Sequence, residues 1–403
     1  MKPIIIVGAG LAAYTLAREV RKLDQTTPLT IVSADDAGFY SKPMLSNAFA
    51  QNRQPAQLIT QSAEQMAAQL DATILPGIAV SAIDAAARTI TTAAGTLGYA
   101  SLVLALGAHA IRLPIGGDGA NQVMSVNHMA DYAALRTHLD GRAARVTILG
   151  AGLIGCEFAD DLSAGGHLVT LIDPNHLPLG LLAAPALSLA LQSALTARGV
   201  QMKLGTTAAR IDRHDQGLRL TLADGSVLDS DIVLSAVGLR PNVTLAQTAD
   251  LVVERGIVVD DHGRTSAADI YALGDCAEYT LATNGANGAG MRTMPYVAPL
   301  MAAARAIART LCGQSTPIEH KVTPVLVKTP SLPMALVPPP PHAPGTWHSE
   351  VDDKGRTISR HADANGLLDG FGVAPHDMGL RNKLLAELGL PLAGAPSANP
   401  QGH

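Results

Sequence analysis

Two parallel-sheet α/β units built on one plan, each three-layered with a β-meander attached, followed by a small α+β unit: this is the fold class the sequence predicts. Three observations predict it. An apolar strand, a glycine turn and a helical stretch at residues 2–20 recur at residues 145–162. The turns themselves, Gly8-Ala9-Gly10-Leu11-Ala12-Ala13 and Gly150-Ala151-Gly152-Leu153-Ile154-Gly155, lie 142 positions apart, about one domain length. Each copy then leads through short strands to a continuous apolar run ended by glycine: Leu102 to Leu106 before Gly107, and Ile232 to Val237 before Gly238. Beyond Pro317 the texture changes to isolated strands and the stiff proline run Pro338–Pro341.

In order along the chain, Ala72 to Pro76, Ala79 to Ile83 and Arg88 to Thr92 read as strands of a first meander. Gln201 to Leu204, Ile211 and Leu218 to Leu222, with a turn at Asp224-Gly225, repeat that layout. Ile270 to Leu273 is a buried strand ended by Gly274-Asp275, and a helix is expected from Pro299 to Leu311. Val322 to Val327 reads as a strand, and residues after Gly394 as a frayed tail.

Composition narrows the function classes. The 403 residues are 47% hydrophobic and 16% charged, which excludes a disordered chain. Aromatics at 3% argue against a base-stacking platform, and a net charge of −5 offers no basic field for nucleic acid or anionic membrane. Cys156, Cys276 and Cys312 are too few and too scattered for a disulfide framework or a metal cluster, and suit a reducing, cytoplasmic compartment. The apolar start at Ile4 to Val7 is too short for a targeting segment. Leu177 to Ala197 carries no charge, but Gly180, Pro185 and Gln192 make it a loop followed by an apolar-faced helix, not a membrane span.

The glycine turns carry the chemistry. The first glycine makes the tight turn and the second lets the backbone approach a pyrophosphate. The third small residue keeps helix and strand close, and the helix N-terminus favours the phosphates. Ala13 is the third residue at the first turn and Gly155 at the second. An acid beyond the next strand should hold ribose hydroxyls: Asp173 stands 23 residues beyond Gly150, whereas Asp35 stands 27 beyond Gly8. A carboxylate at Asp173 repels a 2′-phosphate and so selects NAD over NADP. Two such Rossmann-like turns in one chain predict two dinucleotide sites.

A third signature separates them. Thr265 to Asp275 (TSAADIYALGD) places a carboxylate at a strand end and resembles the second FAD motif of the two-dinucleotide-binding flavoprotein superfamily. The resemblance implies an FAD unit at 1–108 and 240–316, an NAD unit at 109–239 and a small C-terminal unit at 317–403. Members that reduce disulfides need a close cysteine pair beside the flavin, and this chain has none. Cys156 and Cys276 are expected to be packing groups, and electrons must leave the flavin for an external acceptor.

Tyr40 to Ser46 (YSKPMLS), Gly150 to Ala159, Ser235 to Pro241, Asp269 to Glu278 (DIYALGDCAE), Pro299 to Ala302 and Val327 to Pro330 (VKTP) together resemble the bacterial rubredoxin–NAD reductases. That resemblance, which runs to about residue 330, implies hydride transfer from NADH to FAD and then single-electron transfer to rubredoxin, feeding alkane hydroxylation. It implies that Gly8, Ala9, Gly10, Leu11, Ala12 and Ala13 hold the FAD pyrophosphate, with Ser33, Ala34 and Asp35 at the ribose and Val80 at the adenine. Asp275 would bind the ribityl chain, and Val297 would offer its N–H to the pyrimidine edge. Lys42, Glu157 and Lys328 would tune the flavin, with no acid–base triad required. Gly150, Gly152, Leu153, Ile154, Gly155, Asp173 and Gly238 would hold NAD.

Two departures stand out. Related ferredoxin reductases place a lysine just after the Pro-x-Leu-Ser segment, where it pairs with the helix glutamate. Here the position is Asn47, so that pair is expected to be absent. The C-terminal part departs from the family pattern, and His342, His348 and His361 are expected to be exposed. A carrier-docking edge ringed by Lys42, Arg305, Arg309, Lys321 and Lys328 is expected. The alternatives are a reductase for another one-electron carrier, of flavorubredoxin, ferredoxin or nitrite-reductase type, and a flavoprotein whose assembly responds to NADH.

Overall fold

The computed structural model describes residues 2–281 and 290–392. The tail expected after Gly394 lies outside them. Apolar β-branched runs form the first sheet. Its order is Ile270–Ala272, Ser101–Leu104, Ile4–Val7, Leu29–Val32 and Thr73–Leu75, all parallel. Ile4 stands opposite both Leu29 and Ser101, so the strand before the first glycine turn is central and buried throughout. The strand at 270–272 returns from far along the chain to close one edge.

The second sheet repeats this plan in the order Gln201–Leu204, Leu168–Asp173, Arg145–Leu149 and Ile232–Ser235. Two expectations need correction here. Thr73–Leu75 and Gln201–Leu204 belong to the parallel sheets and not to the meanders. Each follows a helix, Ala63–Leu70 or Pro185–Ala197, so each completes a crossover whose parallel return buries it. The meanders are Val80–Asp84, Thr89–Thr92 and Gly95–Gly98 in the first unit, and Ala208–His214, Gly217–Leu222 and Val227–Ser230 in the second. The apolar runs before Gly107 and Gly238 also leave their sheets earlier than expected, at Leu104 and Ser235. Ala105 and Ala236 still donate a last backbone bond to Val7 O and Leu149 O, and with Leu106 and Val237 they line a cavity.

The C-terminal unit is an antiparallel sheet ordered Val325–Val327, Met334–Val337, Leu368–Ala374, Thr357–Asp363 and Gly345–Val351, with the helix Met378–Glu387 packed on it. The expected strand at 322–327 starts at Val325. The uncharged stretch at 177–197 resolves as a loop and the helix Pro185–Ala197, and no helix among the described residues is long and apolar enough to cross a membrane. That helix faces the C-terminal sheet: a Cβ on Gly372 would come within 2.3 Å of Leu187 Cδ1, so glycine there is what lets the two approach. One buried cluster runs from Leu45 and Phe49 through Ile148 and Leu171 to Leu336 and Ala374, joining the second sheet to the C-terminal sheet without a break.

Candidate functional site

Both glycine turns open on one cavity of about 2970 Å³. A pocket for a single small ligand measures roughly 300–1,000 Å³, so there is room for two nucleotides. At the first turn Gly8 has φ +111°, and a Cβ there would lie 2.3 Å from Ala105 O. Gly10, by contrast, has open space where a Cβ would stand, and it begins the helix Leu11–Leu23 with no side chain capping it. The second turn behaves alike: Gly150 has φ +103°, Gly152 faces open space, and the helix Leu153–Ala164 starts uncapped. Two helix N-termini with unclaimed N–H groups, each behind a glycine that leaves backbone bare, are the cradles a pyrophosphate requires. The residues present fit two dinucleotides.

The third positions do a different job. Neither Ala13 nor Gly155 lines the cavity. A Cβ on Gly155 would lie 1.8 Å from Gly150 O, so this glycine sets the approach of helix to strand.

Asp173 lines the cavity while nearly buried. Its Oδ2 accepts from Ala151 N at 2.6 Å, and its Oδ1 accepts from Asn175 N and Nδ2, both at 2.8 Å. The carboxylate thus braces the second turn while facing the cavity. The displaced acid of the first unit, Asp35, accepts from Ser33 Oγ at 2.5 Å and Ala37 N at 3.0 Å. Ser33, Ala34, Asp35 and Val80 all line the cavity, as do Leu153, Ile154 and Gly238.

The strand-end acid Asp275 sits in the short 3-10 turn Gly274–Cys276, and its Oδ2 is 3.5 Å from Lys42 Nζ. Gly274 has φ +76°, and a Cβ there would press on Ala12 Cβ at 3.0 Å. The turn is therefore seated directly against the first nucleotide helix. Val297, expected just ahead of a helix beginning at Pro299, is instead the first residue of the helix Val297–Leu311, after Tyr296. That helix start is also uncapped by any side chain and faces the same cavity.

Where the walls of the cavity meet, Glu157 is fully buried on the Leu153–Ala164 helix. Its Oε2 accepts from Ser46 Oγ at 2.5 Å and faces Lys328 Nζ at 3.1 Å, and its Oε1 accepts from Lys328 N at 3.0 Å. The expectation that Asn47 leaves this glutamate without a lysine is therefore corrected. A lysine is present, but it arrives from the C-terminal unit. One turn further on, buried Asp160 accepts from Ser331 N at 2.8 Å and Ser331 Oγ at 2.5 Å. Asp161 accepts from Phe49 N at 2.7 Å and Ala50 N at 3.1 Å, and burial pushes its carboxyl up to about 6. Sequence reasoning missed these two acids. Their signal was carboxylates three and four residues after Glu157 on a helix otherwise made of apolar and small side chains.

Other expectations sort as follows. His342 and His348 are exposed, but His361 is not: it is 4% exposed, with Nδ1 2.5 Å from Asp369 Oδ1 and its ring against Trp347. Its strand lies inside the C-terminal sheet, where a histidine needs the acid partner. Cys156 and Cys276 are fully buried, and loss of hydration raises both thiols, that of Cys276 to about 12, so neither is a nucleophile. Of the expected basic rim, Lys42, Lys321 and Lys328 line the cavity. Arg305 and Arg309 are exposed on the Val297–Leu311 helix but outside the cavity wall. Tyr296, His320, Trp347 and the run Pro338–Pro341 also line it; the sequence marked the proline run only as a stiff segment and did not point to the other three.

Known proteins can be set beside this geometry. Residues 2–294 match the family model described as pyridine nucleotide-disulphide oxidoreductase, and residues 317–388 match one described as a rubredoxin binding C-terminal domain. A rubredoxin-NAD(+) reductase of Alcanivorax borkumensis is 42% identical over 390 residues, covering 96% of this chain and 99% of that protein. A nitric oxide reductase FlRd-NAD(+) reductase of Aeromonas salmonicida is 37% identical, with 96% of each covered. Among solved structures, a covalent putidaredoxin reductase–putidaredoxin complex superposes with a TM-score of 0.85 at 23% identity, over 97% of this chain and 94% of that one.

Proposed function

The chain belongs to the pyridine nucleotide-disulphide oxidoreductase family, and from that premise we propose that it is an NADH-dependent flavoprotein reductase whose electron acceptor is rubredoxin. One observation carries the reading. Two uncapped, glycine-lined helix starts share one cavity with a segment of the C-terminal unit, and no cysteine pair stands there to take electrons. Bound FAD supplies the conversion between a two-electron hydride and single electrons.

The residues divide that work. Gly8 to Ala12, Ser33, Ala34, Asp35, Val80 and Asp275 hold FAD, with Lys42 screening Asp275 and adding positive charge at the first turn. Gly150 to Ile154, Asp173 and Gly238 hold NADH, and the carboxylate of Asp173 excludes a 2′-phosphate. Val297 offers the positive end of its helix to the flavin edge. Glu157 and Lys328 place a charge pair where the walls converge. The match at residues 317–388 supports rubredoxin as the carrier, and the reading extends to a cytoplasmic enzyme supplying electrons for alkane hydroxylation.

The test is anaerobic stopped-flow mixing of the NADH-reduced, FAD-loaded protein with oxidised rubredoxin and, separately, ferredoxin. Fast, saturable reduction of rubredoxin alone is expected; fast reduction of ferredoxin with a slow response to rubredoxin would overturn the carrier. The relative from Aeromonas salmonicida favours one second reading, with a flavorubredoxin as acceptor, and the same mixing experiment separates the two.

A further inference from the structure

Lys328 is held at both ends by one side chain. Asn47 Nδ2 donates to the Lys328 carbonyl oxygen at 2.8 Å, and Asn47 Oδ1 accepts from Lys328 Nζ at 3.1 Å. The ammonium has three donors, and each has an acceptor: Asn47 Oδ1, Pro43 O at 2.5 Å and Glu157 Oε2 at 3.1 Å. The partners differ in burial. Glu157 is fully buried, whereas the Lys328 side chain is 38% exposed and could reach water if nothing retained it.

We propose that Asn47 is a positioning residue of the electron-transfer site, holding Lys328 beside Glu157 so that positions 47 and 328 act as one unit. The chemistry asks for an amide. A lysine at 47 would set a second ammonium against the first. An aspartate would leave the Lys328 carbonyl without a donor and place a second carboxylate next to Glu157. Asparagine donates from Nδ2 and accepts at Oδ1, so one side chain meets both ends of Lys328 from this turn. The unit ties three segments together: the turn Lys42–Asn47, the Leu153–Ala164 helix of the second unit, and the end of the first C-terminal strand. It also fixes one positive charge in the cavity wall.

The inference rests on the reading of the cavity as a flavin site, and its test needs no carrier. The reduction potential of FAD is measured anaerobically in the intact protein and in Asn47→Leu, Lys328→Met and the double variant. Losing the lysine removes a positive charge and leaves Glu157 uncompensated. Both changes disfavour a reduced, more negative flavin, so the potential should fall in Lys328→Met. Asn47→Leu should lower it in the same direction by a smaller amount, and the double variant should match Lys328→Met alone. Reduction of rubredoxin should follow the same non-additive pattern, with kcat down about fivefold in Asn47→Leu and the KM for NADH unchanged.

Effects that simply add, or an Asn47→Leu protein that melts lower with an unchanged potential, would overturn the proposal. If Asn47→Leu does not load FAD, Asn47→Ser, which is polar but too short to reach both atoms, runs the same cycle. A wild-type protein that holds FAD but ignores rubredoxin would overturn the carrier and leave this test standing.

Discussion

The two nucleotide helices come from one repeated plan and bury opposite chemistry. In Leu11–Leu23 the buried face is Ala13, Tyr14, Thr15, Leu16, Ala17 and Val20, uncharged throughout, and it packs on the Val297–Leu311 helix. In Leu153–Ala164 the buried face includes Glu157, Asp160 and Asp161. The corresponding positions of the first helix are Thr15, Arg18 and Glu19. Arg18 lies over the Phe39 ring and reaches Gln61, and Glu19 pairs with Lys22. The acids of the second helix instead receive backbone N–H groups from two foreign segments, 49–50 and 328–331. One helix closes its own core by hydrophobic burial. The other is a strut that presents acceptors to loop backbone, which no apolar face could satisfy.

The largest expected effect tests how closely each helix approaches its strand. Gly155→Ala forces a Cβ to 1.8 Å from a backbone oxygen, with no flexible atom to yield. It should destabilise the protein by at least about 4 kcal/mol in urea unfolding and abolish NADH binding. At the matching position of the first helix the residue is already Ala13, and Ala13→Gly should cost only about 1 kcal/mol. Similar losses in both would mean that the two turns do not differ in packing.

Next comes the strut itself. Asp160→Leu leaves Ser331 N and Oγ without an acceptor in a buried site and strips Arg198 of its nearby acid. About 3–4 kcal/mol should be lost, with faster hydrogen exchange at residues 328–332. Arg18→Leu, the equivalent change on the first helix, removes a half-exposed cation–π contact and should cost about 1 kcal/mol. Exchange at 328–332 that is unchanged in Asp160→Leu would break the comparison.

This contrast marks how much the sequence disclosed. The turns, the buried strands and the placement of Asp173 and Asp275 were legible because each is a local rule, a spacing within one strand–turn–helix. The strand at Thr73–Leu75 was misplaced because a three-residue run looks alike in a meander and in a parallel edge; only the preceding helix distinguishes them. The Lys328–Glu157 pair could not be read, since its members are 171 positions apart and nothing in either neighbourhood names the other. Asn47 looked like the loss of a pair because sequence shows which side chain is absent, not which one has come from elsewhere. His361 was misread for a related reason: its burial is decided by the strand on either side and by Asp369.

The third acid of the strut carries a pH signature of its own. Asp161 is raised from an ordinary 3.8 to about 6, chiefly because it is buried. The folded state therefore holds this proton more tightly than the unfolded chain. The resulting stabilisation is complete below about pH 4 and is lost as pH rises through 6, a swing of about 3 kcal/mol at most. Measured by denaturant unfolding from pH 4 to pH 7.5, wild type should lose stability relative to Asp161→Asn over that window. Parallel curves for Asp161→Asn and wild type would show that the strut is held without a desolvated carboxyl.

The smallest effect concerns how the anchored C-terminal unit meets its carrier. Lys321 lines the cavity and pairs with exposed Glu319 at 2.9 Å, whereas Arg309 lies outside the wall on the helix that packs against the first nucleotide helix. If the strut holds the C-terminal unit so that its charges frame the cavity, an acidic carrier is steered by Lys321 and not by Arg309. Lys321→Glu should lower kcat/KM for rubredoxin about threefold at low ionic strength, with the difference vanishing in high salt. Arg309→Glu should change it little. Neither variant should alter reduction of the bound flavin by NADH, because both groups lie away from the second glycine turn. An equal response at Lys321 and Arg309 would place the docking face across the outer surface of the first unit. The acids of the Leu153–Ala164 helix would then serve to hold the fold together and not to orient a partner.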